Sequence, residues 1–186
     1  MMKALVPCSL SKLLLGLCMF MGLICMHVYA AEAAQLVHFG QGDEWRYFKG
    51  AQKPPSNWAQ NGFNDSSWLN GLSGIGYGKG NNRTYMGDMQ GKYLTVYVRK
   101  QFTIADIHNV SGMTLSVICD GPFIAYLNGI EVIRGGSGFP KAEPFDISGF
   151  VHELLPGKNV VAFECSNNDI NSGDFSFVPA FEVIGH

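Results

Sequence analysis

The amino-acid sequence predicts an all-β sandwich of two antiparallel sheets. Beyond the N-terminal region, short apolar or alternating runs are separated by Gly, Asn, Asp, Ser and Pro, a pattern typical of many short strands. The 186 residues include 23 glycines and only 15% charged residues, while 12% are aromatic. No long stretch has helical periodicity. Because no repeat or low-complexity linker divides residues 31–186, we expect them to form one domain.

The first thirty residues have the pattern of a secretory signal peptide. Lys3 and Lys12 precede an apolar run at 13–26, and Val28 and Ala30 occupy positions −3 and −1 of a cut after Ala30. A cut after residue 33 is the second option. A transmembrane anchor is the alternative, but the apolar run is short for a hydrocarbon core of ~30 Å. The sequence therefore predicts a cleaved peptide at 1–30 and a secreted or periplasmic domain at 31–186, with no membrane span after cleavage.

The charge of the predicted domain argues against two classes of partner. Removing Lys3 and Lys12 from the 13 basic residues leaves 11, against 15 acidic residues, so the domain is acidic. It has no block of Lys and Arg to contact the phosphates of nucleic acid or the surface of an anionic membrane.

The first third of the domain is rich in loops and aromatic residues. Residues 44–48 read as a short strand, 58–68 as a turn region and 71–80 as a glycine-dense loop. Such a region is ordered only if its aromatic side chains are buried. The expected anchors are Trp45, Trp58, Phe63 and Trp68.

Later strands are clearer. Residues 93–104 alternate, which places Tyr97 and Arg99 on one face and the apolar side chains on the other. Lys100 interrupts the apolar set and indicates either a bulge or the rim of a strand. Further strands are predicted at 113–119, 160–165 and 175–184.

Two turns complete the predicted pattern. The strand-forming runs at 123–127 and 130–133 flank Asn128 and Gly129, a pair that tolerates the positive φ angles of a type I′ hairpin. Residues 145–159 predict one short helical or 3₁₀ turn.

Several short motifs occur in an order that resembles a known family. They are FNDSSW at 63–68, GIGYG at 74–78, YVRKQF at 97–102, the run from DG at 120–121 to NG at 128–129, FDI at 145–147 with GKNVVA at 157–162, and SGDF at 172–175. The series is similar to galactose-binding-domain-like jelly rolls, which include the N-terminal sugar-binding domain of bacterial β-galactosidases and related accessory modules of secreted proteins. The resemblance implies a jelly-roll sandwich and a carbohydrate-binding role, although this fold also hosts lipid-binding, protein-binding and structural functions.

A sugar site needs an aromatic ring for the apolar side of a pyranose and planar polar groups for its hydroxyls. Three parts of the sequence combine such residues. They are Tyr97 with Arg99; Arg83 and Tyr85 beside Asn82; and Asn167, Asn168 and Asp169. Structural roles are the alternative: Arg99 could pair with a carboxylate such as Asp120, and Asn168 and Asp169 could form a turn.

No catalytic constellation is visible in the sequence. His38, His108 and His152 are scattered without metal-ligand spacing, and no Gly-x-Ser-x-Gly motif is present. We therefore expect no catalytic residue, no resident metal and no cofactor. A structural calcium ion at Asn64 and Asp65 is the exception left open.

Two cysteines, Cys119 and Cys165, lie beyond the predicted signal peptide. Both fall on the apolar side of their strands. In an oxidising compartment they form a disulfide if the strands are close, and they are otherwise buried thiols.

Taken together, these features predict an exported, non-catalytic module whose partner is a glycan or a cell-surface polysaccharide. One alternative is a structural or protein-interaction module, which would present a broad apolar patch. A second is a hydrolase, which would bring two carboxylates, or a base and a nucleophile, into one cleft.

Overall fold

The computed structural model of the chain describes residues 33–136 and 143–186. The predicted signal peptide at 1–30 lies outside these residues. The described residues belong to one compact unit. None of its helices is long and apolar enough to cross a membrane.

The described residues form two sheets, as predicted. Sheet A contains β1 (Gln35–Phe39), β4 (Ile75–Tyr77), β5 (Thr84–Tyr85), β7 (Val110–Cys119), β10 (Glu143–Asp146) and β12 (Phe175–Gly185). Sheet B contains β2 (Glu44–Lys49), β3 (Leu69–Leu72), β6 (Thr95–Ile104), β8 (Phe123–Leu127), β9 (Ile130–Gly135) and β11 (Gly157–Ser166).

The order of the strands places β7, β12, β6 and β11 at the centre of the sandwich. Sheet A runs β10-β7-β12-β4-β5, with β1 also paired to β12, and sheet B runs β3-β2-β6-β11-β8-β9. The pairs are antiparallel except for β4 and β5, which run parallel. The predicted all-β sandwich is confirmed, with this one parallel pair as an addition.

The core lies between the sheets and follows the predicted alternation. In β6, Val96, Val98 and Phe102 are buried, and they face Phe177 and Phe181 of β12 within one apolar cluster. Successive residues of a strand point to opposite faces, so the same strand turns Tyr97 and Arg99 away from the core. We call the side of each sheet that faces away from the other sheet its outer face.

Lys100 lies within β6, on the same side of the strand as the core residues. The pairing of β6 with β11 continues from Thr95 to Ile104 without a shift in register, so there is no bulge at Lys100. Its ammonium donates a hydrogen bond to the backbone oxygen of Glu44 at 2.7 Å and lies 4.8 Å from the centre of the Phe39 ring.

The Asn128–Gly129 hairpin and the short 3₁₀ turn are also confirmed. Asn128 and Gly129 have φ angles of 52° and 95°, in the left-handed region that this turn requires. The Asn128 side chain donates to the backbone oxygen of Glu153 and accepts from the backbone N–H of Val160. The predicted turn is the 3₁₀ helix Ser148–Glu153, and a second 3₁₀ helix lies at Ile107–Asn109.

A segment without strands, residues 54–68, lies across the outer face of sheet B, and we call it the covering segment. Its tight turns are closed by hydrogen bonds from Trp58 N to Pro55 O and from Trp68 N to Asp65 O, both 2.9 Å. Trp58 and Trp68 stack with ring centres 6.0 Å apart, and Trp58 meets the Tyr97 ring edge-on at 5.1 Å. The covering segment therefore builds a second apolar cluster outside the main core.

Cys119 and Cys165 lie on opposite sheets, in β7 and β11, and both are fully buried thiols. The Cys119 thiol donates to the backbone oxygen of Gly121 at 2.8 Å. Burial, and then the hydrogen bond with Cys119, raises the pKa of the Cys165 thiol. Their disulfide stays a prediction for an oxidising compartment.

Candidate functional site

The predicted Tyr97 and Arg99 face is covered rather than open. Tyr97 is 5% exposed and Arg99 is fully buried, because the covering segment lies over both side chains. The Arg99 guanidinium donates to Asp65 Oδ2 at 2.5 Å and to the backbone oxygen of Gln60 at 2.9 Å. This corrects the expectation of an open aromatic face on β6, and the carboxylate partner of Arg99 is Asp65 rather than Asp120.

Burial shifts the pKa values of the side chains on this face. It lowers the pKa of Arg99, and the charge of Asp65 opposes that shift. It raises the pKa of Tyr97 to about 12 and also raises the pKa of Glu164, two positions beyond Ala162 on the neighbouring strand. Tyr97 and Arg99 hold the covering segment in place by ring packing on Trp58 and ion pairing with Asp65.

A pocket of about 240 Å³ opens beside the covering segment, on the part of sheet B formed by β3, β2 and β6. Its lining is polar and carries both signs of charge. We call it the Arg46 pocket; it is lined by Glu44, Trp45, Arg46, Asp65, Asn70, Arg99, Lys100 and Gln101.

The other two predicted groups meet at one end of the sandwich. Ser176 N donates to Asp120 Oδ2 at 2.8 Å, and Ser176 Oγ donates to Asn82 Oδ1 at 3.2 Å. Asn168 Nδ2 donates to the backbone oxygen of Asp120. Asp120 and Ser176 therefore join the loop that contains Asn82 to the loop that contains Asn168, two regions far apart in the sequence.

Within this loop network the predicted residues play different parts. Asn167 is buried and donates to the backbone oxygen of Asp174 at 2.8 Å, so it braces the loop. Asp169 accepts from the backbone N–H of Asn171 and closes a turn. Burial raises the pKa of Asp120, and the nearby charge of Asp174 acts in the same direction. Asn168 is exposed.

Tyr85 lies beside this network and is 76% exposed, which makes it the one exposed aromatic residue in 33–136 and 143–186. It stands opposite Gly76, and Gly76 stands opposite Ser176, so the three form a row across β5, β4 and β12. A Cβ at Gly76 would lie 2.7 Å from Asn82 Oδ1 and 1.9 Å from the backbone oxygen of Phe175.

Phe175 and Asn82 therefore occupy the space toward which a Gly76 side chain would point, and Gly76 and Ser176 are both buried. We call Tyr85, Asn82, Asp120 and Asn168, together with the buried Ser176 that links them, the Tyr85 surface. Arg83 is exposed, and its guanidinium passes close to Gly42.

The residues considered for calcium are engaged elsewhere. Asp65 pairs with Arg99, and Asn64 Oδ1 accepts from the backbone N–H of Ser66 at 3.0 Å. In the part of the chain that the structure describes, no three His, Cys, Asp or Glu side chains are grouped to hold a metal ion.

Sequence reasoning missed Ser176, Gly76 and Arg46. Arg46 had a usable signal, because Trp45 and Tyr47 on either side of it are apolar and the alternation turns Arg46 to the outer face. Ser176 and Gly76 gave no signal, since their importance comes from the pairing of β4 with β12.

Comparison with known proteins supports the fold. No family model and no curated protein matches the chain. Solved structures do match. A Bifidobacterium dentium β-glucuronidase complexed with coumarin-3-O-glucuronide is 17% identical, with a TM-score of 0.52 over 70% of this chain and 20% of that one. A glycosyl hydrolase family 2 member from Bacteroides cellulosilyticus is 17% identical, with a TM-score of 0.52 over 80% of this chain and 20% of that one.

A β-glucuronidase from an uncultured Clostridium species is 12% identical, with a TM-score of 0.50 over 78% of this chain and 29% of that one. The chain therefore spans about a fifth of the length of the first two enzymes. These matches show that the predicted sandwich fold also occurs within these glycoside hydrolases.

Proposed function

We propose that this chain is an exported, non-catalytic carbohydrate-binding module that holds a glycan on the Tyr85 surface. The observation that supports this most directly is the Tyr85 ring, which is 76% exposed on the edge strand of sheet A. An exposed ring of this kind stacks against the apolar side of a pyranose. Export is supported by the leader pattern at 1–30.

The polar groups around Tyr85 suit sugar hydroxyls. The partly exposed Asn82 and the exposed Asn168 each offer an amide that both donates and accepts. The buried Ser176 hydroxyl donates to Asn82 Oδ1 at 3.2 Å, which keeps the Asn82 side chain in place before a ligand arrives. Such preorganisation reduces the entropy lost on binding.

A non-catalytic role is supported by the pairing of the Asp65 carboxylate. A glycosidase needs two carboxyl groups flanking the scissile bond. In the Arg46 pocket, Asp65 is paired with Arg99, and the other carboxylate is the exposed Glu44. The likeness to glycosidases also extends over about a fifth of their length.

The arrangement of exposed apolar side chains favours glycan binding over a broad protein interface. Among the described residues, the large exposed aliphatic side chains are dispersed over β3, the loops and the hairpin, and single exposed apolar residues are normal on a protein surface. They are Leu69, Leu72, Leu94, Ile130, Leu155 and Ile170.

A glycan array with the purified protein, followed by calorimetric titration of the best binders, tests the proposal. We expect Tyr85→Ala to weaken binding up to about tenfold, since contacts of one aromatic ring contribute roughly 0.5–1.5 kcal/mol. Tyr85→Phe keeps the stacking face and is expected to retain binding. Leu155→Ala, which removes another exposed apolar side chain, is the matched control. Absence of any glycan above background, or unchanged affinity in Tyr85→Ala, contradicts the proposal.

A further inference from the structure

The Arg46 pocket lies on the outer face of sheet B, away from the Tyr85 surface on sheet A. Arg46 stands directly opposite Arg99 on β6 and opposite Asn70 on β3. Cross-strand neighbours of this kind have Cβ atoms about 4.5–5.5 Å apart. Two guanidinium groups and an amide therefore line one wall of the pocket in register.

The two arginines differ in how their charge is balanced. Arg99 is paired with Asp65 at 2.5 Å. The Arg46 guanidinium donates to the backbone oxygen of Trp68 at 3.3 Å. Within 33–136 and 143–186, no carboxylate oxygen lies within 4.0 Å of it. A guanidinium carries five N–H donors, so Arg46 keeps donors for a ligand.

The charges of the pocket are not all paired. Arg46 and Arg99 face Glu44 and Asp65, and the ion pair joins Arg99 to Asp65. The Lys100 ammonium lies on the inner side of β6, against the Phe39 ring and the backbone oxygen of Glu44, so it adds no charge to the outer face. In addition, Arg99 Nε is buried with no hydrogen-bond partner among the described residues. An anionic group beside Arg46 would give that guanidinium the charged partner that Asp65 gives to Arg99.

The size and the remaining polar groups restrict the ligand further. A volume of about 240 Å³ lies below the roughly 300–1,000 Å³ of sites for drug-sized ligands, so it suits a single ring. The amides of Asn70 and Gln101 are exposed at the pocket and can both donate to and accept from hydroxyl groups.

We propose that the Arg46 pocket binds a carboxylate-bearing monosaccharide. The carboxylate accepts two parallel hydrogen bonds from the Arg46 guanidinium, and the ring hydroxyls form hydrogen bonds with the amides of Asn70 and Gln101. This site is separate from the Tyr85 surface and does not depend on glycan binding there.

Calorimetric titration with matched sugars tests this at low ionic strength, where charge contacts are least screened. The probes are D-glucuronate against D-glucose, D-galacturonate against D-galactose, and acetate as a carboxylate without a ring. We expect at least one uronate to bind about tenfold or more tightly than its neutral counterpart and than acetate. We expect Arg46→Gln to remove that preference and Arg46→Lys to keep part of it.

The controls separate binding from folding. Arg134→Gln makes the same substitution at the far edge of sheet B, where Arg134 pairs with Glu131, and is expected to leave uronate binding unchanged. Asn70→Ala changes an exposed residue on β3 and is expected to weaken uronate and to keep the thermal melting curve of the wild type. Tyr85→Ala is expected to leave uronate binding intact, which distinguishes this site from the Tyr85 surface.

Three results would overturn the proposal. The first is equal affinity for a uronate and its neutral counterpart, including no binding of either. The second is equal affinity for acetate, which removes the requirement for a ring. The third is unchanged uronate binding in both Arg46→Gln and Asn70→Ala.

Discussion

The outer faces of the two sheets use similar residues for opposite purposes. On sheet B, Tyr97 and Arg99 lie beneath the covering segment, where two tryptophans and an ion pair to Asp65 exclude water. On sheet A, Tyr85 and Arg83 are exposed at the β5 edge. An aromatic residue two positions from an arginine thus forms a packed interior in one place and an open surface in the other.

The difference lies in a segment distant in sequence rather than in the strands themselves. Residues 54–68 bring Trp58, Phe63 and Trp68 over β6. No comparable segment covers Tyr85 among the described residues, because β5 is a short edge strand. The comparison predicts that substitutions on the covered face change stability, whereas substitutions on the open face change ligand binding.

The largest effect is expected from Trp68→Ala. Removing this buried ring leaves a cavity against Trp58 and Phe48, and such substitutions cost about 3–5 kcal/mol in the free energy of unfolding. Urea unfolding followed by fluorescence measures it. The counterpart Tyr85→Ala is expected to change stability by about 0.5 kcal/mol or less, because its ring is exposed. Equal losses in the two variants would contradict the contrast between the faces.

A loss of about 3 kcal/mol is expected from Asp65→Ala, because the fully buried Arg99 is left without a carboxylate partner. Glu131→Ala breaks the exposed pair with Arg134 and serves as the control, with little change expected. Chemical unfolding of both variants checks this. If Asp65→Ala unfolds at the same urea concentration as Glu131→Ala, the ion pair does not anchor the covering segment.

The smallest effect concerns pH. Burial on the covered side raises the pKa of Glu164 above its ordinary value of 4.5. The folded protein is therefore most stable below the pKa of Glu164 in the unfolded chain, and it loses stability as pH rises through the higher pKa of Glu164 in the folded state. Because glutamine stays neutral, we expect the stability of Glu164→Gln relative to the wild type to increase as pH rises above 4.5. Melting temperatures from pH 4 to pH 8 measure this, with Glu182→Gln on sheet A as the control. A constant difference across that range would contradict the expectation.

Much of the fold was predictable because its signals are local. Alternation located β6, and Asn128 with Gly129 located the hairpin, since positive φ angles at both positions require such residues. The burial of the tryptophans at 45, 58 and 68 followed from the energy needed to order a glycine-rich region.

The site was less predictable because it depends on contacts between distant segments. Tyr97 and Arg99 were assigned correctly to the face opposite the core, but alternation gives no information about a loop that crosses that face. Conversely, Asn82 and Asn168 were predicted separately. Ser176 brings them together, because it donates to both Asn82 and Asp120 and Asp120 in turn accepts from Asn168.

The most direct test of the contrast between the two faces is a nuclear magnetic resonance titration of the isotope-labelled protein with its best array glycan. The account predicts that backbone amide shifts change in residues 76–87, 120–122 and 168–176 and stay unchanged in the covering segment at 54–68. Shifts that concentrate in the covering segment, with the Tyr85 region unchanged, would contradict it.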